Sequence, residues 1–284
     1  EKGNHIIISS IEHSCIKNTA LFLEENGYEV TYLPVNKDGS VSQSVLESAI
    51  KENTILVSIM WANNELGTIN DIKSLSKLCH DHGVAFHTDA TQYAGKGLID
   101  LQDMKDIDFL SLSAHKFYGP KGIGILFIRK DENNFYPKIT PLIHGGEQEF
   151  GLRSGTLAVH QIVGMGKAAE IAQRDLSRNI ELLNQYEKQF KARMKKVFGD
   201  KIIFNNDIKN KIPGLISIRI KGYNNQLFLK NASSIISAST GSACSNAKPS
   251  YVLKACGYND EEIRETIRFS LSAYADYNNF LEIE

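Results

Sequence analysis

Ile107-Asp108-Phe109-Leu110-Ser111-Leu112 runs into Ser113-Ala114-His115-Lys116-Phe117-Tyr118-Gly119-Pro120-Lys121-Gly122, and from there into Ile123-Gly124-Ile125-Leu126-Phe127-Ile128. Two short apolar runs flank a polar turn that carries two lysines, Lys116 nearer the first run and Lys121 just before the second. Runs of this length, bounded by Gly and Pro, read as strands buried on both faces. The same pattern repeats upstream. His5–Ser9, Glu29–Leu33, Thr54–Met60 and Val84–Asp89 read as strands. Between them, Cys15–Asn26, Val45–Lys51 and Ile72–His82 read as helices, the first and last stopped by Gly27 and Gly83. Strand–helix alternation predicts an α/β domain built on a mostly parallel sheet.

The second half reads differently. A long helical stretch from Ala158 to Val197 weakens near Arg174–Asn179. Short strands (Lys201–Phe204, Gly214–Ile220, Ser234–Ser239, Thr266–Leu271) alternate with helices at Gln226–Leu229 and from Pro249. This predicts a smaller α+β domain, with residues 1–173 and 174–284 as the two units. Beginning at Glu1, directly before a strand, the chain is expected to be part of a longer protein.

Bulk properties narrow the function. A net charge of −1 gives no electrostatic footprint for nucleic acid or an anionic membrane. No apolar run approaches the roughly 18 residues of a membrane span. Cys15, Cys79, Cys244 and Cys256 form no C-x-x-C pair, which suits a reducing, cytoplasmic setting. Cys15, Cys79 and Cys256 lie in helical patterns and are expected to be structural. Cys244 lies in a small polar stretch, Ser239–Pro249, where an accessible thiolate could act as a nucleophile. His80-Asp81-His82 reads as a solvated helix end rather than a metal site, because adjacent helical residues do not face one another.

The residues at the strand ends carry the chemistry. A lysine that can form a Schiff base (Lys116) and an acid that can pair with a pyridinium nitrogen (Asp89) are the minimum set for pyridoxal phosphate, PLP. Gln92 and Asn64 could bind the ring oxygen, and Ser113 and His115 could donate to a phosphate. His13 could stack on the ring. Arg268, inside an apolar strand, needs an anion, and a substrate carboxylate would serve. Each has a plain structural alternative: Asp89 as a cap, His13 as a helix-entry residue, Arg268 in an internal salt bridge.

Taken together, Glu12-His13, Asn63-Asn64-Glu65-Leu66-Gly67, Thr88-Asp89-Ala90-x-Gln92, Ser113-Ala114-His115-Lys116, Arg153-Ser154-Gly155-Thr156, Gly241-Ser242-Ala243-Cys244 and Ile267-Arg268-Phe269-Ser270 resemble the motifs of the NifS/IscS-like cysteine desulfurases, class-V members of the fold-type I PLP enzymes. The resemblance runs from His5 to Leu271. It implies a seven-stranded-type, mostly parallel sheet with a smaller C-terminal α+β domain. By that resemblance Lys116 would hold PLP and later move the Cα proton of L-cysteine. Asp89, Gln92, Asn64, His13, Ser113 and His115 would bind the cofactor, His13 also helping with acid–base steps, and Arg268 and Asn64 would bind the substrate. Thr156 would reach the phosphate of a partner subunit, which implies a homodimer. Cys244 would take the sulfur as a persulfide and pass it to an acceptor protein, as in iron–sulfur cluster assembly. Another PLP enzyme of this fold (a class-V aminotransferase or selenocysteine lyase) and an inactive scaffold are the rival readings. The usual Gly-Gly-Gly motif reads Gly145-Gly146-Glu147 here, and Phe150 stands where Arg is common.

Overall fold

The computed structural model describes residues 3–234, 236–241, 249–275 and 277. Six strands form the larger sheet: β1 (His5–Ser9), β2 (Glu29–Leu33), β3 (Thr54–Ser58), β4 (Ala85–Asp89), β5 (Phe109–Ser113) and β6 (Gly124–Ile128), in the order β2-β1-β3-β4-β5-β6. All neighbours are parallel except β5 and β6, which pair antiparallel from Phe109↔Ile128 to Ser113↔Gly124. Helices α1 (Ser14–Glu25), α2 (Gln43–Ala49) and α3 (Ile72–Asp81) make the crossovers. Parallel strands need such crossovers, which also bury both sheet faces. Ile7, Val57 and Phe86 accordingly lie fully buried in one cluster with α3 residues Ile72, Leu75 and Cys79.

The described sheet has six strands where the resemblance implied seven. The six apolar runs in the sequence account for all of them, and β6 is an edge whose Ile125 and Leu126 are exposed.

The long helical stretch is two helices, α4 (Val159–Arg174) and α5 (Leu176–Phe198), meeting at Asp175. The weak pattern at Arg174–Asn179 marked that break. A second, antiparallel sheet follows, β7 (Ile202–Phe204), β8 (Leu215–Ile220) and β9 (Thr266–Ser270), in that order. Its core combines Ile216, Ile218, Ile267 and Phe269 with Phe190 and Met194 of α5. Helices α6 (Asn225–Ala232), α7 (Tyr251–Ala255) and α8 (Asp260–Arg264) complete it. The sequence reading did not find α8, which Asn259 and Glu262 start with a capping box. The expected strand at Ser234–Ser239 reduces to one isolated bridge. Ser239 exchanges both backbone hydrogen bonds with Arg268, while Ile236 N still donates back to Ala232 O in helical fashion.

Candidate active site

Ligands of open parallel sheets bind at the carboxyl ends of the strands, where strand order reverses. Here the order 2-1-3 puts that point between β1 and β3. His13 follows β1, Asn64 follows β3, Asp89 ends β4 and Ser113 ends β5. The sequence-predicted residues therefore gather on one edge for a topological reason.

Lys116 sits in a 3-10 turn, Ala114–Phe117, directly after β5. Tyr118 follows in the left-handed region (φ 66), and Gly119 N donates to Ala114 O at 2.9 Å. A Cβ on Gly119 would come within 2.9 Å of Ala114, so only glycine closes this turn. Phe117 and Ala114 are buried with Ala94 and with Met165 of α4, leaving Lys116 and His115 exposed. Ser113 Oγ lies 3.3 Å from His115 Nδ1, so the two phosphate candidates already touch.

Asp89 is buried, and its Oδ1 accepts from Thr91 N at 2.9 Å. The capping role and an outward oxygen coexist, because a carboxylate has two. His13 is likewise the N-cap of α1: its Nδ1 accepts from Cys15 N at 3.3 Å and lies 3.0 Å from Cys15 Sγ. A backbone N–H can only donate, so Nδ1 is the acceptor and a neutral His13 carries its proton on Nε2. Gln92 Oε1 accepts a bond from Lys96 Nζ at 3.3 Å. Arg268 of β9 reaches across from the second sheet, its Nη1 donating to Asn64 O at 2.8 Å. Burial lowers the Arg268 guanidinium from its usual value, and nearby Glu65 opposes that shift. Thr156 is exposed and, among the described residues, forms no hydrogen bond with these side chains; Ser154, two residues before it, donates to Gly146 O at 2.6 Å. In the departure from the usual glycine motif, Glu149 and Phe150 adopt positive φ (50 and 60), a conformation glycine favours. Cys244 lies outside the described residues.

Three features were not legible in the sequence. Glu12 is fully buried; its Oε1 accepts from Ser9 Oγ at 2.6 Å and Met60 N at 2.8 Å. Burial, with Asp89 adding to it, pushes its carboxyl up to about 8, so it is a neutral acid at neutral pH. Cys15, in the first turn of α1, is exposed rather than buried, its Sγ 3.0 Å from His13 Nδ1, which corrects the expectation that it is structural. Cys79 and Cys256 are buried, as expected. Lys96 lies close enough to Lys116 and Arg268 for both cations to act on it.

Would these residues fit PLP? Asn64 Oδ1, Thr88 Oγ1 and Arg268 Nε are buried and have no hydrogen-bond partner among the described residues. Leaving such groups unmet costs about 1–3 kcal/mol each. The polar set includes an amine for a carbonyl carbon, an acid for a ring nitrogen, an amide for a ring oxygen and a guanidinium for a carboxylate. That is the donor set PLP and an amino acid require, so the residues fit.

Residues 1–281 match the family model described as Aminotransferase class-V. The chain is 45% identical over 278 residues to a protein named "Cysteine desulfurase, mitosomal" from Encephalitozoon cuniculi, covering 96% of this chain and 62% of that one. It is 44% identical to "Cysteine desulfurase IscS" of Ruthia magnifica, covering 96% and 67%. Among solved structures, a "NifS-like protein" superposes with a TM-score of 0.88 at 34% identity, covering 99% of this chain and 74% of that one. "SspA in complex with cysteine" superposes with 0.81 at 40% identity, covering 97% and 76%. The chain thus spans 62% to 67% of the length of these curated relatives.

Proposed function

The chain belongs to the class-V aminotransferase family, and from that premise we propose that it is the cofactor- and substrate-binding body of a PLP-dependent cysteine desulfurase. The reaction converts L-cysteine to L-alanine and moves the sulfur to Cys244. The observation that carries this reading is the convergence, at one sheet edge, of Lys116, Asp89, Gln92 and the Arg268–Asn64 pair, with unmet buried polar atoms among them.

PLP, when bound, supplies the electron sink that lets the substrate Cα give up a proton. Lys116 would hold the cofactor, and its free amine would take that proton and return it. Asp89 holds a proton on the ring nitrogen. Gln92 and Asn64 donate to the ring oxygen, and Ser113 and His115 to the phosphate. His13, whose Nδ1 is already occupied, offers Nε2 for proton transfer and its flat ring for stacking. Arg268 holds the substrate carboxylate, with Asn64 fixing the guanidinium.

The Cys244 thiolate then attacks the substrate sulfur. An S–S bond forms as the Cβ–S bond breaks, and the carbon keeps the electron pair until a proton completes alanine. A protein acceptor collects the persulfide sulfur. Thr156, which is exposed, acts on the phosphate of a second subunit, so the working unit is a homodimer. The division near residue 174 separates the cofactor-binding unit from the one that carries Cys244. Among the described residues no helix is long and apolar enough to cross a membrane; we place the enzyme in a cytoplasm that keeps thiols reduced.

Two variants test the reading in the full-length protein. Lys116→Ala is expected to abolish the visible absorbance that follows PLP addition. Cys244→Ser is expected to keep that absorbance and lose sulfur transfer; an unchanged transfer rate would sink the persulfide role.

A further inference from the structure

Lys96 is a half-buried amine that the chemistry above does not use. Its Nζ donates to the Gln92 main-chain oxygen and to Gln92 Oε1, each at 3.3 Å. An ammonium has only donors, so it takes the oxygen end of the amide. The Nε2 end, with its two N–H groups, remains for a ligand.

Packing fixes this arrangement. Tyr93, between the two residues, stacks on Trp61 with ring centroids 4.4 Å apart and planes 7° from parallel. Backbone bonds from Tyr93 and Ala94 to Ala90 O, and from Lys96 and Gly97 to Tyr93 O, close the turn. Gly95, at φ +75, lies so close to Phe117 that an added Cβ would approach its Cβ to 2.8 Å. Phe117 is the neighbour of Lys116, so this contact brings the two amines to one wall of a cavity of about 290 Å³, also lined by Tyr118, Leu183 and Tyr274. The charged groups acting on Lys96 are Lys116 from the 3-10 turn and Arg268 from β9, both cations. Burial first, then those cations, lower its ammonium to about 8. A cation kept in such company is best placed to serve an anion.

We propose that Lys96 is a positioning residue that holds the Gln92 amide so that its nitrogen, not its oxygen, faces the ring oxygen of bound PLP. This rests on the reading that PLP is held here. A donor on that oxygen competes with the proton shared between the oxygen and the Lys116 nitrogen, so this proton leaves at lower pH. A freely turning Gln92 would lose that effect.

The test is a pH titration of the visible absorbance of the PLP-loaded, full-length protein. Lys96→Met is expected to raise the midpoint by about one pH unit, the size a single nearby charge or donor produces. Gln92→Ala is expected to raise it as well, and the double variant no further than the larger single change, because the two act through one amide. Lys96→Arg, which keeps the charge and the donors, is expected to stay near the parent. Should Lys96→Met not fold by circular dichroism, Lys96→Gln carries the same expectation. An unmoved midpoint in the uncharged variant, or full additivity in the double variant, overturns the proposal. A parent protein that develops no visible absorbance with PLP overturns the cofactor reading instead, so the two failures are distinct.

Discussion

Replacing Glu12 by Gln should make the protein more stable, and increasingly so as pH rises. Glu12 is fully buried, and its acid is pushed up to about 8 from an ordinary 4.5. In the unfolded chain it ionises near the ordinary value. The raised folded value therefore leaves stability intact below about pH 4.5. Stability drains as pH climbs toward 8, because the unfolded state alone gains from losing the proton. The slope is roughly 1–1.5 kcal/mol per pH unit, which amounts to about 3–4 kcal/mol between pH 5 and pH 8. Gln cannot ionise, and its oxygen can keep both bonds that Glu12 Oε1 accepts, from Ser9 Oγ and Met60 N. Among the described residues the Oε2 position makes no bond that Gln would break. Urea unfolding of parent and Glu12→Gln at pH 5, 6, 7 and 8 measures the gap between them. It should widen steadily in favour of Gln. A gap of the same size at pH 5 and pH 8 would show that Glu12 is not a buried neutral acid, and the reasoning would fail.

Other consequences follow from particular contacts. Lys211 and Glu187 form a buried ion pair at 2.7 Å, and Gly214 N also donates to Glu187. Glu187→Ala should cost about 3–5 kcal/mol in chemical denaturation by stranding the lysine; a loss under 1 kcal/mol (about the value of an exposed pair) would refute its buried role. Cys79 and Cys256 are buried, with thiols pushed up to about 12, whereas Cys15 is exposed. In a Cys244→Ser protein, a disulfide reagent should therefore label Cys15 and spare the other two until denaturant is added, as peptide mass mapping would read. Gly95→Ala meets both a positive φ and Phe117. It should destabilise by about 1–3 kcal/mol and weaken PLP retention; a parent-like affinity measured by equilibrium dialysis would argue that this turn does not position the site.

Much of the larger sheet was legible because strands buried on both faces must be apolar throughout. Ile6-Ile7-Ile8 and the Thr54–Ser58 run show this directly. Asp175 interrupts the long helix where the apolar spacing faltered. The Ser234–Ser239 run looked equally strand-like, yet among its described residues Ser239 alone bridges to β9, because pairing depends on a neighbour that no local pattern supplies. Lys116, Asp89 and Asn64 were readable as strand-end residues. Glu12 and Lys96 were not: the first owes its raised acid to burial, with Asp89 adding to it, and the second its lowered ammonium to burial and then to Lys116 and Arg268. Cys15 was expected to be structural from its helical pattern, yet it lies exposed beside the His13 cap at the start of α1. Local sequence marks where chemistry can sit, while the titration of each group is set by distant residues folded over it.

The central claim is that this site drives sulfur from L-cysteine onto Cys244. The most direct measurement incubates the full-length protein with PLP, L-cysteine and a thiol reductant, and quantifies alanine and sulfide together, with Cys244→Ser alongside. Equal amounts of alanine and sulfide, both lost in Cys244→Ser, are the predicted result. A protein that takes up PLP, shows its visible absorbance and yet releases no alanine from L-cysteine would contradict the account.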